Sequence, residues 1–208
     1  MTTMTMRRTS MGLAAAIALA AAAPVSAQSV GRVSAGGSVA LNTMTDSDVD
    51  NAFSVAPLVR VNPRRGWRLA TAFNWVNAEI KDPAGGGGKF ARMKIRPVMA
   101  GIGYTFGPDR TLFNVSIVGG PSFNYVDFHD EYLERINGAP TIDADHGYAI
   151  RPGFSVTQTV APRVGLTAFT GYMFNRPGIV YRSGTTVIED RWKADSFVLS
   201  AGLVYSIF

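Results

Sequence analysis

The residues best suited to chemistry in this sequence are cations. Arg32, Arg60, Arg68, Arg92, Lys94, Arg96 and Arg151 fall on the polar positions of segments that alternate polar and apolar residues with period two. If those polar faces converge on an interior, they place there a lumen basic cluster of Arg60, Arg68, Arg92, Lys94, Arg96 and Arg151, with few acids on the same face. Such a cluster suits an anion-preferring narrow passage, or a basic mouth that meets lipid phosphates. The plainer alternative is an interior network that pairs the cations with Glu79, Asp127 or Asp195 and with water.

Other chemistry is sparse. The two histidines, His129 and His146, flank a polar segment rich in acids, Asp127, Asp130, Glu131, Asp143 and Asp145. Imidazole and carboxylate are ordinary metal ligands, but this spacing matches no metal motif, so no metal and no cofactor is expected. Gly85-Gly86-Gly87-Gly88 precedes Lys89-Phe90 rather than a Lys-Ser or Lys-Thr pair, and no strand-to-helix context surrounds it. It reads as a surface loop. With no cysteine, the chain has no disulfide framework to stabilise it.

The elements that must position these residues are strands. Residues 1–27 are expected to be a signal peptide: Arg7 and Arg8 precede an alanine-rich apolar run, which ends at Val25-Ser26-Ala27, with cleavage near Gln28. Residues 28–208 then form one domain. Without the two arginines of residues 1–27, which hold no acid, the net charge falls from +5 to +3, too mild to argue for nucleic acid. Eight alternating stretches follow. Val33, Ala35, Val39 and Leu41 open the first, Phe53, Val55, Val59 and Val61 the second, and Trp67, Leu69, Phe73 and Trp75 the third. The fourth alternates Arg92, Lys94 and Arg96 with Met93, Ile95 and Met99 and then changes phase at Ile102, Tyr104 and Phe106, which predicts a bulge near Gly101 or Gly103. Apolar positions are odd in the fifth, around Val115 and Ile117, and even in the sixth and seventh, around Phe154 and Leu166; the eighth runs to the final residue.

The connections are of two kinds. Asn62 to Gly66, Gly107 to Arg110 and Ala161 to Arg163 are tight turns, whereas about 43–51, 80–89, 128–145 and 176–194 are longer and polar. Short turns on one side and long loops on the other are the asymmetry of barrels in a bacterial outer membrane, with the long loops outside the cell. Aromatics divide accordingly. Trp67, Phe106, Phe113, Tyr205 and Phe208 lie near the turn ends, and Trp75, Phe90, Tyr125, Tyr148, Tyr172 and Trp192 near the loop ends, which predicts two girdles. The fold class expected is all-β: an eight-stranded antiparallel up-and-down transmembrane β-barrel.

Together with those strands and the signal peptide, the ending Val204-Tyr205-Ser206-Ile207-Phe208 resembles the small OmpA/OmpX-like outer-membrane β-barrel superfamily, over residues 28–208. The resemblance implies a cell outer membrane location and an assembly signal in Tyr205 and Phe208, read by the barrel assembly machinery. The apolar residues preceding Phe208 are Ile207, Tyr205, Leu203 and Leu199, one position out of phase with that signal. It also implies outer-membrane lipid and lipopolysaccharide as partners, no nucleic acid, and a monomer. Some small barrels deacylate lipid A through a His-x-Ser pair; here His129 precedes Asp130-Glu131 and His146 precedes Gly147-Tyr148, so no enzyme is expected. The function anticipated is non-enzymatic, in envelope structure or surface interaction through the loops. The alternatives are a narrow small-solute or anion-preferring channel, and a soluble lipocalin-like carrier that shares the eight-stranded meander.

Overall fold

The computed structural model describes residues 33–61, 65–81, 88–135, 141–183 and 185–207. The signal peptide and its cleavage site, Arg32, residues 62–64, most of the glycine run and Phe208 lie outside them. Alternating side chains in β-branched and aromatic-rich stretches give β1 (Val33–Met44), β2 (Ala52–Val61), β3 (Gly66–Phe73), β4 (Trp75–Lys81), β5 (Lys89–Phe106) and β6 (Thr111–Phe128). After the short helix α1 (Asp130–Arg135) come β7 (Thr141–Ala144), β8 (Gly147–Ala161), β9 (Val164–Asn175), β10 (Gly178–Ser183), β11 (Thr186–Arg191) and β12 (Ser196–Ser206).

Nine of these strands form one antiparallel sheet that closes on itself through β1–β12 and β5–β6. Because β3 and β4 both pair with β5 in one register and continue each other across Asn74, the wall has eight staves. Two turns at the lower rim use special backbone: Gly107 adopts φ 116° and Arg163 φ 68°. The Thr111 N–H donates to the Pro108 carbonyl at 3.0 Å, and the Ser206 N–H to the Arg163 carbonyl at 2.7 Å. At the other rim, β7, β10 and β11 make a separate three-stranded sheet beyond the barrel. It is fastened by rings: Phe128 stands 5.1 Å from Phe90, 5.9 Å from Tyr132 of α1 and 6.5 Å from Tyr181 of β10.

The facing of the wall is inverted relative to a protein in water. Val39, Val55, Leu69, Ile102, Val115, Ile117 and Leu203 are all exposed on the outside. Ser38, Asn42, Ser54, Asn114, Ser155 and Thr167 are buried inside. A soluble monomer rarely exposes a contiguous apolar patch beyond a few hundred Å², and this one encircles the molecule. The barrel therefore spans a membrane. A lipocalin-like carrier would need the opposite facing, and that alternative is overturned. Outward rings border the belt, Trp67 on Tyr104 and Phe106 on Phe113 below, and Trp75, Tyr125 and Tyr148 above. Phe90 and Trp192 are not part of the upper girdle; both pack against the core under the loops.

The predicted bulge in the fourth stretch is absent. β5 keeps one register against β3 from Gly66↔Thr105 to Phe73↔Val98, and one against β6 from Phe106↔Phe113 to Ala91↔Phe128. Gly101 and Gly120 instead permit close strand approach, since a Cβ at either would fall 2.1 Å from the Ile117 carbonyl or 2.2 Å from the Val98 carbonyl. With the phase unbroken there, even residues of β5 from Arg92 to Phe106 point outward. Arg92, Lys94 and Arg96 thus lie on the outer surface, and Ala91, Met93 and Ile95 lie inside with no exposure.

Ile117 sits outward between the two girdles on β6. Ile117→Arg is expected to cost ~2–4 kcal/mol of barrel stability, as cations do at mid-membrane on a lipid face, while Ser116→Ala costs under about 1 kcal/mol. Reversible denaturant unfolding in lipid vesicles measures both, and the opposite ranking would invert the facing.

Candidate functional site

Three of the six cations of the expected lumen cluster are interior. Arg60 on β2, Arg68 on β3 and Arg151 on β8 reach one cavity of about 90 Å³ inside the barrel, room for several waters. Arg60 donates through Nη1 to Thr157 and through Nη2 to Thr167, the latter at 2.6 Å. The Arg151 guanidinium lies 4.7 Å from the centre of the Phe169 ring. The other three are outside. Arg92 donates to Glu79 at 2.9 Å and Lys94 to Asp127 at 2.5 Å. Arg96 donates to the Val76 carbonyl and to Asn77, both at 2.8 Å.

That division has a physical reason. Above the apolar belt the outer surface meets water and headgroups, so the polar face of β5 is its outer one, while the odd residues close the interior. The same geometry revises the expected interior pairing. Glu79 and Asp127 neutralise outward cations, and the buried Asp195 accepts from Arg176 at 3.0 Å and from the Asn175 backbone at 2.9 Å. No acid among the described residues lines the arginine cavity.

Toward the loops the lumen is filled by two sets of side chains. One is an amide and hydroxyl layer with no exposure to solvent to speak of: Asn175 Nδ2 donates to Ser122 Oγ and Asn124 Oδ1, both at 3.1 Å, and Asn42 donates to Ser54 at 2.8 Å. An apolar cap of Val76, Met93, Ile95 and Met173, each with 0% exposure, packs at the same level: Ile95 pairs directly with Asn124, Val76 with Ser54, and Met173 lies two residues turnward of Asn175 on β9. The sequence carried a signal for the amide layer, in asparagines at polar positions near the loop ends of several strands, but no single residue announces that they meet. The wall is less regular. β2 pairs fully with β1, but on its other side, among the described residues, only through Ser54↔Val76 and Val55↔Trp75. Below that, Pro57 lacks an N–H, and the cavity lining includes outward as well as inward residues of β2 and β3, Pro57, Val59, Leu69 and Thr71 among them.

The two histidines take separate partners. His129 Nε2 lies 2.6 Å from Glu79 Oε2, and His146 packs edge-on against Phe123 and Tyr125 at 5.3 and 5.4 Å. No group of ligating side chains able to hold a metal occurs among the described residues. At Glu79, burial pushes the carboxyl pKa up, but hydrogen bonds from His129 and Arg92 and the charges of Arg92 and Lys89 outweigh it and hold the group below its ordinary value. Tyr205 points outward at the lower rim.

Loss of these contacts has defined signs. Since the folded Glu79 carboxyl titrates below the ordinary 4.5, the stability it lends is complete above that pH and disappears as pH falls through the lower folded value. Hydrogen exchange in 129–135 is expected to rise only in that acid range, and Glu79→Gln should raise it already at neutral pH. Asn175→Ala, which removes the two hydrogen bonds donated to Ser122 and Asn124 and leaves only the one from Ser122 to Asn124, should cost about 1–3 kcal/mol in denaturant unfolding.

No known family model matches the sequence, and no curated protein matches it. Among solved structures, the chain is similar to the outer membrane protein OprG from Pseudomonas aeruginosa at 13% identity and a TM-score of 0.68, over 88% of this chain and 98% of that one. Outer membrane protein W of E. coli follows at 15% identity and 0.54, over 87% and 100%, and AlkL, solved in lipid bilayers, at 15% and 0.51, over 88% and 93%. Such identities establish shared architecture. Inverted facing, closed ladder and these likenesses agree, and the chain has the fold of the small eight-stranded outer-membrane β-barrels.

Proposed function

We propose that this chain resides in the cell outer membrane as a barrel with a closed axis, and that it acts without catalysis through what it presents outside the membrane, in surface interaction or envelope support. The observation that carries this reading is the filling of the lumen beneath the loops by buried amide and apolar side chains. A passage along the axis would have to displace both the Asn124–Asn175 layer and the packed Met93, Ile95 and Met173. Beyond that closure stand β7, β10, β11 and α1, a structured surface rather than a pore rim. On this reading the lipid partners include lipopolysaccharide, whose phosphates suit the outward Lys94 and Arg96 at the upper girdle. The barrel assembly machinery acts on the end that holds Tyr205 and Phe208, and the barrel works as a monomer.

A narrow anion-preferring passage is the second reading, favoured by Arg60, Arg68 and Arg151 and by a cavity that extends into the wall between β2 and β3. Planar-bilayer recording separates the two. The wild-type barrel is expected to give no discrete conductance steps. Replacing Ile95 and Met173 by glycine should produce them only if the cap is the barrier. Anion-selective steps from the wild type would replace the first reading with the second.

A further inference from the structure

The interior arginines present an electrostatic problem that the described residues do not solve. Arg60, Arg68 and Arg151 line one cavity of about 90 Å³ whose remaining polar lining consists of neutral groups, Asn74, Asn114, Ser155 and Thr167 among them. None of the three has an ion pair among the described residues. Arg68 Nε and Arg151 Nε are buried and have no hydrogen-bond partner. Phe169 orients the Arg151 guanidinium at 4.7 Å and Thr157 and Thr167 orient that of Arg60, but a ring and two hydroxyls leave three positive charges in place. Buried charges in folded proteins are ordinarily paired, because an unpaired one forfeits its hydration without return.

The missing component is an anion that accepts hydrogen bonds. A guanidinium offers its N–H groups as a planar fork matched to the two oxygens of a carboxylate or phosphate, and this cavity has several such N–H groups around a space that admits a compact group. We propose that Arg60, Arg68 and Arg151 form an interior oxyanion-binding site, seated between β2, β3 and β8, that takes a small carboxylate or phosphate. The site goes beyond the surface role argued above and does not depend on conduction. The Asn124–Asn175 layer closes it on the loop side, so it is a binding pocket with its loop-side end blocked.

The test uses the purified chain refolded in detergent micelles, with sodium acetate and sodium phosphate as probes and ionic strength held by the salt of a bulky sulfonate. The thermal midpoint, read from the heat-dependent gel shift, should rise saturably with at least one probe, because ligand that binds only the folded state stabilises it. Saturation by acetate alone assigns a carboxylate, by phosphate alone a phosphate, and by both a general oxyanion site. Arg68→Met with Arg151→Met should weaken the apparent affinity about tenfold or more; if the double variant does not fold, either single variant should show the same direction. Without added anion, Arg68→Met should be at least as heat-resistant as the wild type, since it removes an unpaired buried charge. No saturable response in the wild type, an equal response in the variants, or an anion-independent loss of heat resistance in Arg68→Met would overturn the site. A silent bilayer recording with a saturable response upholds it and the closed axis together; conduction without a response removes both.

Discussion

Everything in this molecule follows from the need to satisfy backbone N–H and C=O groups where no water is available. An open sheet in hydrocarbon would leave an unpaired edge on each side, at several kcal/mol per group, so β1 must find β12 and β5 must find β6. Once the ladder closes, each strand has one face toward lipid and one toward a narrow interior, and the period of two assigns every side chain to one or the other. The apolar ring of Val39, Leu69, Ile102 and Ile117 and the buried serines and asparagines opposite are consequences of that closure.

With eight staves, the interior is only as wide as the side chains that fill it, so the lumen behaves as a core with regions of different chemistry. It holds arginines and threonines around a small cavity and, toward the loops, buried amides together with methionine and isoleucine. The apolar cap lies at a height where the outer surface is no longer in lipid. There the barrel reverts to the ordinary arrangement of a soluble protein, with Arg92 and Glu79 outside and Met93 and Ala91 within. Asp195 connects this cap to the loops, since its backbone carbonyl accepts from Thr45 while its carboxylate holds Asn175 and Arg176.

Strand number, the two classes of connection and the lipid-facing parity of most strands were legible in the sequence, because each depends on local alternation and turn chemistry. Phase alone decides that Val115 and Ser116 point opposite ways. The fourth stretch shows the limit. Its apolar residues change parity between Met99 and Ile102, which in one dimension is indistinguishable from a bulge; in the structure the strand is continuous and the environment outside it changes. Alternation marks which face is polar, and only height relative to the membrane tells whether that face is the inner one.

The sequence by itself determined a closed antiparallel barrel with outward apolar residues and cations on polar faces, since backbone periodicity and residue type suffice for that. Only the tertiary structure decided which cations share a space. Arg60 and Arg68 lie on consecutive strands and Arg151 on one far along the chain, and they meet because the barrel curves them onto one cavity, whereas Arg92, Lys94 and Arg96, close in sequence and alike in pattern, face outward with Glu79 and Asp127 close by. The physical reason is that charge pairing depends on three-dimensional distance and on the surrounding medium, and neither is encoded in the spacing of residues along one strand.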